Sequence, residues 1–443
     1  MMGEGIRNRR YSSAASRLSL AMSAPLLRIK QLPTRGKWML GISFLLAVVM
    51  WIIILSTISR NHLTEEDFLE ARKCPVCYGM TMCHPLFNGD VHLVGFSRVR
   101  LLDAVNVKNV FFGSYLDKAV VLKKLGHNDE LKQFDDSVCE ETGRESGCDV
   151  AKVIFTSPQL RVVKNTDLTP DHIKGLSDFT RCPSQRLLKR ILERFREQTE
   201  PGRHLLFRDK VMLLTLLKIN PEPLILQTFS SESGWPFPEY IGACGRFIVE
   251  GNAGKMLGEF YNAPFHKRVD LAYQILKIAE LLTNNKDSYA LYWSDLSYDN
   301  LAVNKDGKVT VIDVENIQVV DKLAVERAKP PGWSELHENR HTPCRSGSNC
   351  LSFDPDSLCT HVDSDHNYYA ACHNLLSPSA DDEQGRTAGL LHSMPDYAKD
   401  DYQLEYLLME CVKPSRPKGR IAIKDDLLSK LNELRIIAID KGE

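Results

Sequence analysis

Leu291–Asn316 reads LYWSDLSYDNLAVNKDGKVTVIDVEN, and three polar residues in it, Asp295, Asn300 and Asp313, each border an apolar run. Leu301, Ala302 and Val303 read as a short strand, Asp306-Gly307 as a hairpin turn, and Val309, Val311 and Ile312 as the returning strand. The stretch is a β-hairpin with a carboxylate and an amide before it and a second carboxylate after it. Such a layout suits phosphoryl transfer. One carboxylate is needed near the acceptor hydroxyl, and an amide with a second carboxylate can hold a divalent metal on nucleotide phosphates.

Set against H-R-D-L-x-x-x-N and D-F-G, the chain has Trp293-Ser294-Asp295-Leu296-Ser297-Tyr298-Asp299-Asn300 and then Asp313-Val314-Glu315. Asp295 takes the catalytic-base position, and Asn300 and Asp313 take the metal positions. Trp293-Ser294 replaces the His-Arg pair, and Val314-Glu315 replaces Phe-Gly. D-L-x-x-x-N alone recurs by chance and also describes a surface hairpin with polar ends. The second Asp after a D-G hairpin is what argues for the kinase layout.

Upstream, Leu271, Ile275, Ile278, Ala279 and Leu282 form one apolar stripe, so Arg268–Thr283 is expected to be an amphipathic helix. Val107–Leu116 and Ala119–Leu125 read as adjacent strands. Val120-Val121-Leu122-Lys123 matches V-A-I-K, whose Lys holds nucleotide phosphates. Lys124 points to the opposite face because strand side chains alternate. An ordinary edge-strand lysine is the competing reading of Lys123. Such a Lys needs a carboxylate partner; Glu130 is the nearest, with Asp135, Asp136, Glu140 and Glu141 also open. Gly113 is the only glycine between Leu101 and Val121, so the usual glycine-rich phosphate loop is missing.

Pro183–Glu197 has helical periodicity, Val211–Leu217 is apolar without a clear type, and Leu224–Phe229 and Arg246–Val249 read as strands. Glu250-Gly251-Asn252 reads as a hinge between lobes, and Asp425–Ile439 as a final amphipathic helix. Past Asp313 there is no A-P-E segment. His361, Asp363, Asp365, His366 and His373 lack a metal-ligand spacing, so a solvated polar loop is expected there.

The 443 residues carry 56 Lys or Arg and 57 Asp or Glu, unevenly spread. Residues 1–37 hold eight basic residues and one acid, Glu4, leaving 48 basic and 56 acidic residues beyond them. That mildly acidic remainder argues against nucleic acid as a partner. Trp38–Ile58 has no charge and is long enough to span a bilayer as a helix. Arg28, Lys30, Arg35 and Lys37 before it predict a cytosolic N-terminus and a luminal remainder, with a late-cleaved signal peptide as the alternative. All twelve cysteines follow this segment, which reads as disulfides in an oxidising lumen. Cys139 with Cys148, and Cys344 with Cys350, are close enough to pair locally. Cys74-Pro-Val-Cys77 could instead open a zinc site or a redox pair.

Several separated blocks carry a resemblance. CPVCYG (74–79), LLDAVNVKNVFF (101–112), CPSQRLL (182–188), NPEPLILQ (220–227), GWPFPEYIGACGR (234–246) and LSYDNLAVNKDGKVTVIDVEN (296–316) resemble the divergent protein kinase domain family, its deleted-in-autism branch in particular. The resemblance covers roughly residues 60–440. It implies a secretory-pathway kinase-like protein of the endoplasmic reticulum or Golgi, some members being thought to be secreted as signalling factors. Carried over, Lys123 is the nucleotide position, Asp295 the base, and Asn300 and Asp313 the metal positions, for ATP with Mg²⁺ or Mn²⁺.

The architecture expected is α+β: a two-lobed, disulfide-stabilised protein-kinase-like fold after an N-terminal membrane segment. Residues 1–37 are expected as a disordered cytosolic tail, 38–58 as a transmembrane signal-anchor and 59–89 as a Cys-containing luminal stem. The kinase-like N-lobe is expected over 90–250, and the C-lobe, with a Cys-rich C-terminal part, over 251–440. Two functions follow: a kinase acting on a luminal or secreted protein, or a pseudokinase that binds a luminal or extracellular partner, such as a receptor, without catalysis.

Overall fold

The computed structural model describes residues 34–58, 62–98, 109–199, 205–340, 351–378 and 388–440. The chain divides into two compact units. The first contains helix α1 (Thr34–Ile58), where Trp38, Phe44 and Trp51 are exposed. Among the described residues, no helix is long and apolar enough to cross a membrane. The side chains of 53–58 lie outside the described residues, as does most of the expected cytosolic tail.

The second unit is built on a five-stranded sheet of order β1-β2-β3-β5-β4. Its strands are β1 (His92–Leu93), β2 (Val110–Tyr115), β3 (Lys118–Lys124), β4 (Tyr240–Cys244) and β5 (Phe247–Gly251). All neighbouring pairs are antiparallel. A two-residue turn, Leu116-Asp117, joins β2 to β3, with both residues at positive φ, 47° and 60°. That twist matches the strands it joins. Gly113 lies inside β2, where a Cβ would come within 2.9 Å of the His92 carbonyl; it serves close strand packing.

Between β3 and β4 run α2 (Asn128–Glu141), α3 (Gln185–Thr199), α4 (Phe207–Ile219) and α5 (Glu222–Thr228). The strand expected at Leu224–Phe229 is mostly helix α5. A short apolar run fits a buried helix as well as a strand. Pro221 and Pro223 favour a helical first turn, and the Asn220 side chain accepts from the Glu222 amide at 2.9 Å. Every residue of α5 is buried, so no polar face marks its period.

Past β5 come β6 (Lys255–Met256), α6 (Phe265–Thr283), β7 (Tyr289–Trp293), β8 (Leu301–Val303), β9 (Val309–Val311) and β10 (Ile317–Asp321). α6 buries the stripe its periodicity predicts, Leu271, Ile275, Ile278, Ala279 and Leu282. β8 and β9 form the expected hairpin, with β6 pairing β8 on its other side. Asn304 closes the hairpin: its side chain accepts from the Asp306 and Lys308 amides, each at 2.9 Å, and Gly307 takes φ 82°. The C-terminal part holds α7 (His366–Ala370), continued as a π-helix over Ala371–Leu376, then α8 (Leu404–Val412) and α9 (Gly419–Asp440).

Five disulfides join described cysteines: Cys74–Cys77, Cys83–Cys244, Cys139–Cys148, Cys182–Cys359 and Cys372–Cys411. Cys74 and Cys77 therefore pair with each other, and no group of three or more metal-ligating residues occurs among the described residues. Cys344 and Cys350 lie outside the described residues. The stem residues are not a separate body. Cys83 is tied to β4, and Leu63, Leu69, Met82 and Leu86 share a core with Phe111, Val120 and Phe247 of the sheet.

Candidate functional site

Strand alternation puts Val121 and Lys123 on one face of β3. In register, Val121 lies opposite Phe112 on β2 and opposite Glu250 on β5, and Lys123 lies opposite Val110. This face roofs a cavity of about 690 Å³. Lys123 from β3 and Asp295, Asn300 and Asp313 from the hairpin stretch all line it. The hairpin supplies the floor. Asp295 lies just past β7, Asn300 ends a single 3-10 turn, and Asp313 lies two residues past β9. Asn300 is buried; its amide oxygen accepts from Ser297 Oγ, its Nδ2 donates to the Asp295 carbonyl at 3.5 Å, and its own carbonyl takes the Ile312 amide at 2.9 Å.

Lys123 is the centre of the arrangement. Its Nζ lies 2.9 Å from Glu222 on α5, 2.9 Å from Glu250 on β5, and 2.5 Å from the Ile312 carbonyl beside Asp313. The expected pairing of Lys123 with Glu130 is not formed. Glu130 instead accepts from the His127 amide at 2.7 Å, at the start of α2, while still lining the cavity. It is only seven positions from Lys123 in sequence, and that short loop leaves it on the first turn of α2. Glu222, 99 residues away, takes the Lys instead. Asp135, another open alternative, pairs with Lys73 and Arg246.

The cavity is acidic. Glu130, Glu222, Glu250, Glu259, Asp295, Asp299, Asp313 and Glu315 face Lys123, Lys124 and Lys255. Burial pushes the Glu222 carboxyl up to about 8, against the opposing pull of Lys123, and Glu250 also rises through burial. Burial works against the Lys123 charge, but Glu222 and Glu250 together hold its ammonium protonated. Burial and the nearby Asp313 push Glu315 up to about 7, although the Asn220 amide donates to it. The Asp313 carboxylate has no hydrogen-bond or ion-pair partner among the described residues. So many carboxylates around one buried ammonium suit a cation arriving with a polyphosphate. Asn300 and Asp313 are the residues that could hold a divalent ion there, and the apolar Val121, Phe112, Ala302 and Met256 line the same cavity.

Sequence reasoning missed a second set. The polar loop expected around His366 is instead the fully buried α7. His366 donates to the Trp293 carbonyl, and Asn367 accepts from the Trp293 amide at 3.1 Å. Asn367 also donates to the Leu291 carbonyl at 2.9 Å, and Asn374 to the Leu296 carbonyl at 2.8 Å. These side chains fix the backbone on both sides of Asp295, where Trp293-Ser294 stands for His-Arg. The signal available in the sequence was the apolar run Tyr368-Tyr369-Ala370-Ala371-Cys372 with Leu375-Leu376, obscured by the polar residues on either side of it.

Residues 213–414 match the family model described as the protein-kinase domain of FAM69. The chain is 42% identical to human Divergent protein kinase domain 2A over 409 residues, covering 89% of this chain and 94% of that protein. The Xenopus tropicalis protein of the same name is also 42% identical, covering 86% and 91%. Bovine Divergent protein kinase domain 2B is 30% identical over 60% of this chain and 64% of its own length. With the Lys123–Glu222 pair set above Asp295, Asn300 and Asp313 in one cavity, the chain belongs to the divergent protein kinase domain family.

Proposed function

We propose that the protein is a catalytically competent divergent kinase of the secretory pathway. It binds ATP with Mg²⁺ or Mn²⁺ and transfers phosphate to a hydroxyl of a luminal or secreted protein. The observation that carries this reading is the Lys123–Glu222 ion pair 2.5 Å from the carbonyl that precedes Asp313. A lysine beside the metal-binding carboxylate is the arrangement phosphoryl transfer needs. Asp295 orients the acceptor hydroxyl and takes its proton, Asn300 and Asp313 hold the metal, and Lys123 holds phosphate. A bound Mg²⁺ or Mn²⁺ neutralises charge on the phosphates. Glu130 lines the same cavity without pairing to Lys123.

The location is part of the same proposal. Five disulfides in the described residues favour an oxidising compartment. The uncharged Trp38–Ile58 segment with basic residues before it favours a single N-terminal anchor, type II, in the endoplasmic reticulum or Golgi, with secretion after cleavage as a variant. A pseudokinase acting as a luminal or secreted binding factor is the second reading. It is favoured by one observation: three protein oxygens, from Glu222, Glu250 and Ile312, already crowd the Lys123 ammonium within 2.9 Å.

Titration of the purified full-length chain with ATP and Mn²⁺ tests the first reading, alongside Asp313→Ala and a phosphate-transfer assay on secreted proteins. Metal-dependent binding by the native chain that Asp313→Ala abolishes is expected. A native chain that neither binds ATP nor transfers phosphate, with Asp313→Ala retaining biological activity, would leave the pseudokinase.

A further inference from the structure

A side-chain ammonium has three N–H donors. In this protein Lys123 donates to Glu222 at 2.9 Å and to the Ile312 carbonyl at 2.5 Å, and its third close oxygen, Glu250 Oε1, lies 2.9 Å away as an ion pair. On the nucleotide reading proposed above, a phosphate oxygen must therefore displace a resident anion to reach the Lys123 ammonium.

The three acceptors are not equally fixed. The Ile312 carbonyl belongs to a backbone held in place by its own amide, which donates to the Asn300 carbonyl at 2.9 Å. Glu222 stands on α5, whose first amide is held by Asn220 at 2.9 Å. Glu250 closes the sheet side of the cavity from β5, opposite Val121, and is 2% exposed. One of its oxygens contacts Lys123; the other, Oε2, is buried without a hydrogen-bond partner among the described residues. An unpaired carboxylate oxygen shut away from water is costly. Glu250 thus holds Lys123 with half of its carboxylate unsatisfied, next to Glu222 and Asp313, which repel its charge. Of the three contacts, this one is poised to break.

We propose that Glu250 is a built-in competitor for Lys123: its carboxylate occupies the place beside the ammonium that a nucleotide phosphate needs and must give it up for the phosphate to be held. The chain is then gated from inside the cleft. Phosphate affinity is set by a contest between two anions for one lysine, and weakening the resident anion strengthens the incoming one. Glu222 plays the opposite part, because it keeps Lys123 charged and aimed along the cavity.

Two measurements on the full-length chain in detergent test this, using native protein, Glu250→Gln and Glu250→Asp. Gln keeps the shape without the charge. Asp keeps the charge but retracts it by one methylene, so a failure of either variant to fold leaves the other informative. The first measurement is the rate at which pyridoxal 5′-phosphate, an aldehyde carrying a phosphate, labels Lys123. The adduct is trapped by borohydride and located by peptide mass spectrometry. The second is the dissociation constant for ATP with Mn²⁺. Lys123 is expected to label about tenfold faster in the variants, and ATP to bind Glu250→Gln about tenfold tighter than native, the effect of one lost charge-assisted contact. Equal labelling of native protein and folded variants overturns the proposal, as does weaker ATP binding by Glu250→Gln with its melting temperature unchanged. Faster labelling with no ATP binding by any form upholds the competition at Lys123 and refutes the nucleotide reading instead.

Discussion

Two of the buried charge clusters among the described residues are built on opposite rules. Around Arg420 every charge is matched. Its guanidinium donates to the carbonyls of Cys411 at 2.5 Å, Asn339 at 2.7 Å and Val412 at 2.8 Å, and to Asp365 at 2.6 Å. Asp365 also accepts from the Asn339 amide at 2.8 Å, and Cys372–Cys411 fastens α7 to α8 beside it. Around Lys123 the charges do not cancel. One ammonium faces Glu222 and Glu250, with Asp313 unpaired beside them. A balanced, fully bonded cluster holds a fold together. An overcharged one with unsatisfied oxygens is a place for a ligand.

The sharpest way to break the contrast is Arg420→Ala. It strands Asp365 and three carbonyls, and the expected loss is about 3–5 kcal/mol of unfolding free energy by chemical denaturation. A loss under about 1 kcal/mol would mean that the cluster is not structural. Replacing both Cys372 and Cys411 by Ser should cost about 4 kcal/mol, the loop-closure value for a span of this length.

The two clusters should also respond to pH with opposite signs. Burial lowers His366 to about 4, whereas burial and Asp313 raise Glu315 to about 7. A depressed histidine adds stability above its unfolded value of about 6.5, lost as pH falls toward about 4. A raised carboxyl adds stability below its unfolded value of about 4.3, lost as pH rises through about 7. Each limb amounts to about 3 kcal/mol at most. Glu315→Gln should flatten the neutral limb and His366→Gln the acid limb; melting curves from pH 4 to pH 8 read both. The smallest effect on stability is expected for Asp313→Ala. Removing an unpaired carboxylate from an acidic cleft should change the unfolding free energy by less than about 1 kcal/mol, while metal-dependent nucleotide binding disappears.

The same contrast explains what was legible in the sequence. Asp295, Asn300 and Asp313 could be found because a hairpin fixes their spacing along 19 residues of continuous chain. Lys123 could be found because a strand carries it in a recognisable tetrapeptide. Glu222 could not, since its helix has no polar face and joins Lys123 across 99 residues. Proximity in sequence favoured Glu130, which the fold spends on the start of α2. The Arg420 cluster was hidden for a related reason. Asp365, His366 and Asn367 look like a solvent-facing loop, and only tertiary partners from β7 and α9 allow them inside.

The Cys83–Cys244 bridge carries a consequence for how the chain is made. The two cysteines are 161 residues apart, so at synthesis rates of about 5–20 residues per second Cys83 emerges roughly 8–30 s before its partner. Throughout that interval its thiol shares the nascent segment with Cys74 and Cys77, which need only each other. Cys139 and Cys148 also emerge and can close before Cys244 arrives. The order of oxidation is thereby set against the order of emergence. The first thiol that must wait is the one that staples the stem to the sheet roofing Lys123. The Cys83–Cys244 staple cannot close before Cys244 emerges, and any earlier pairing of Cys83 would have to be undone by thiol–disulfide exchange.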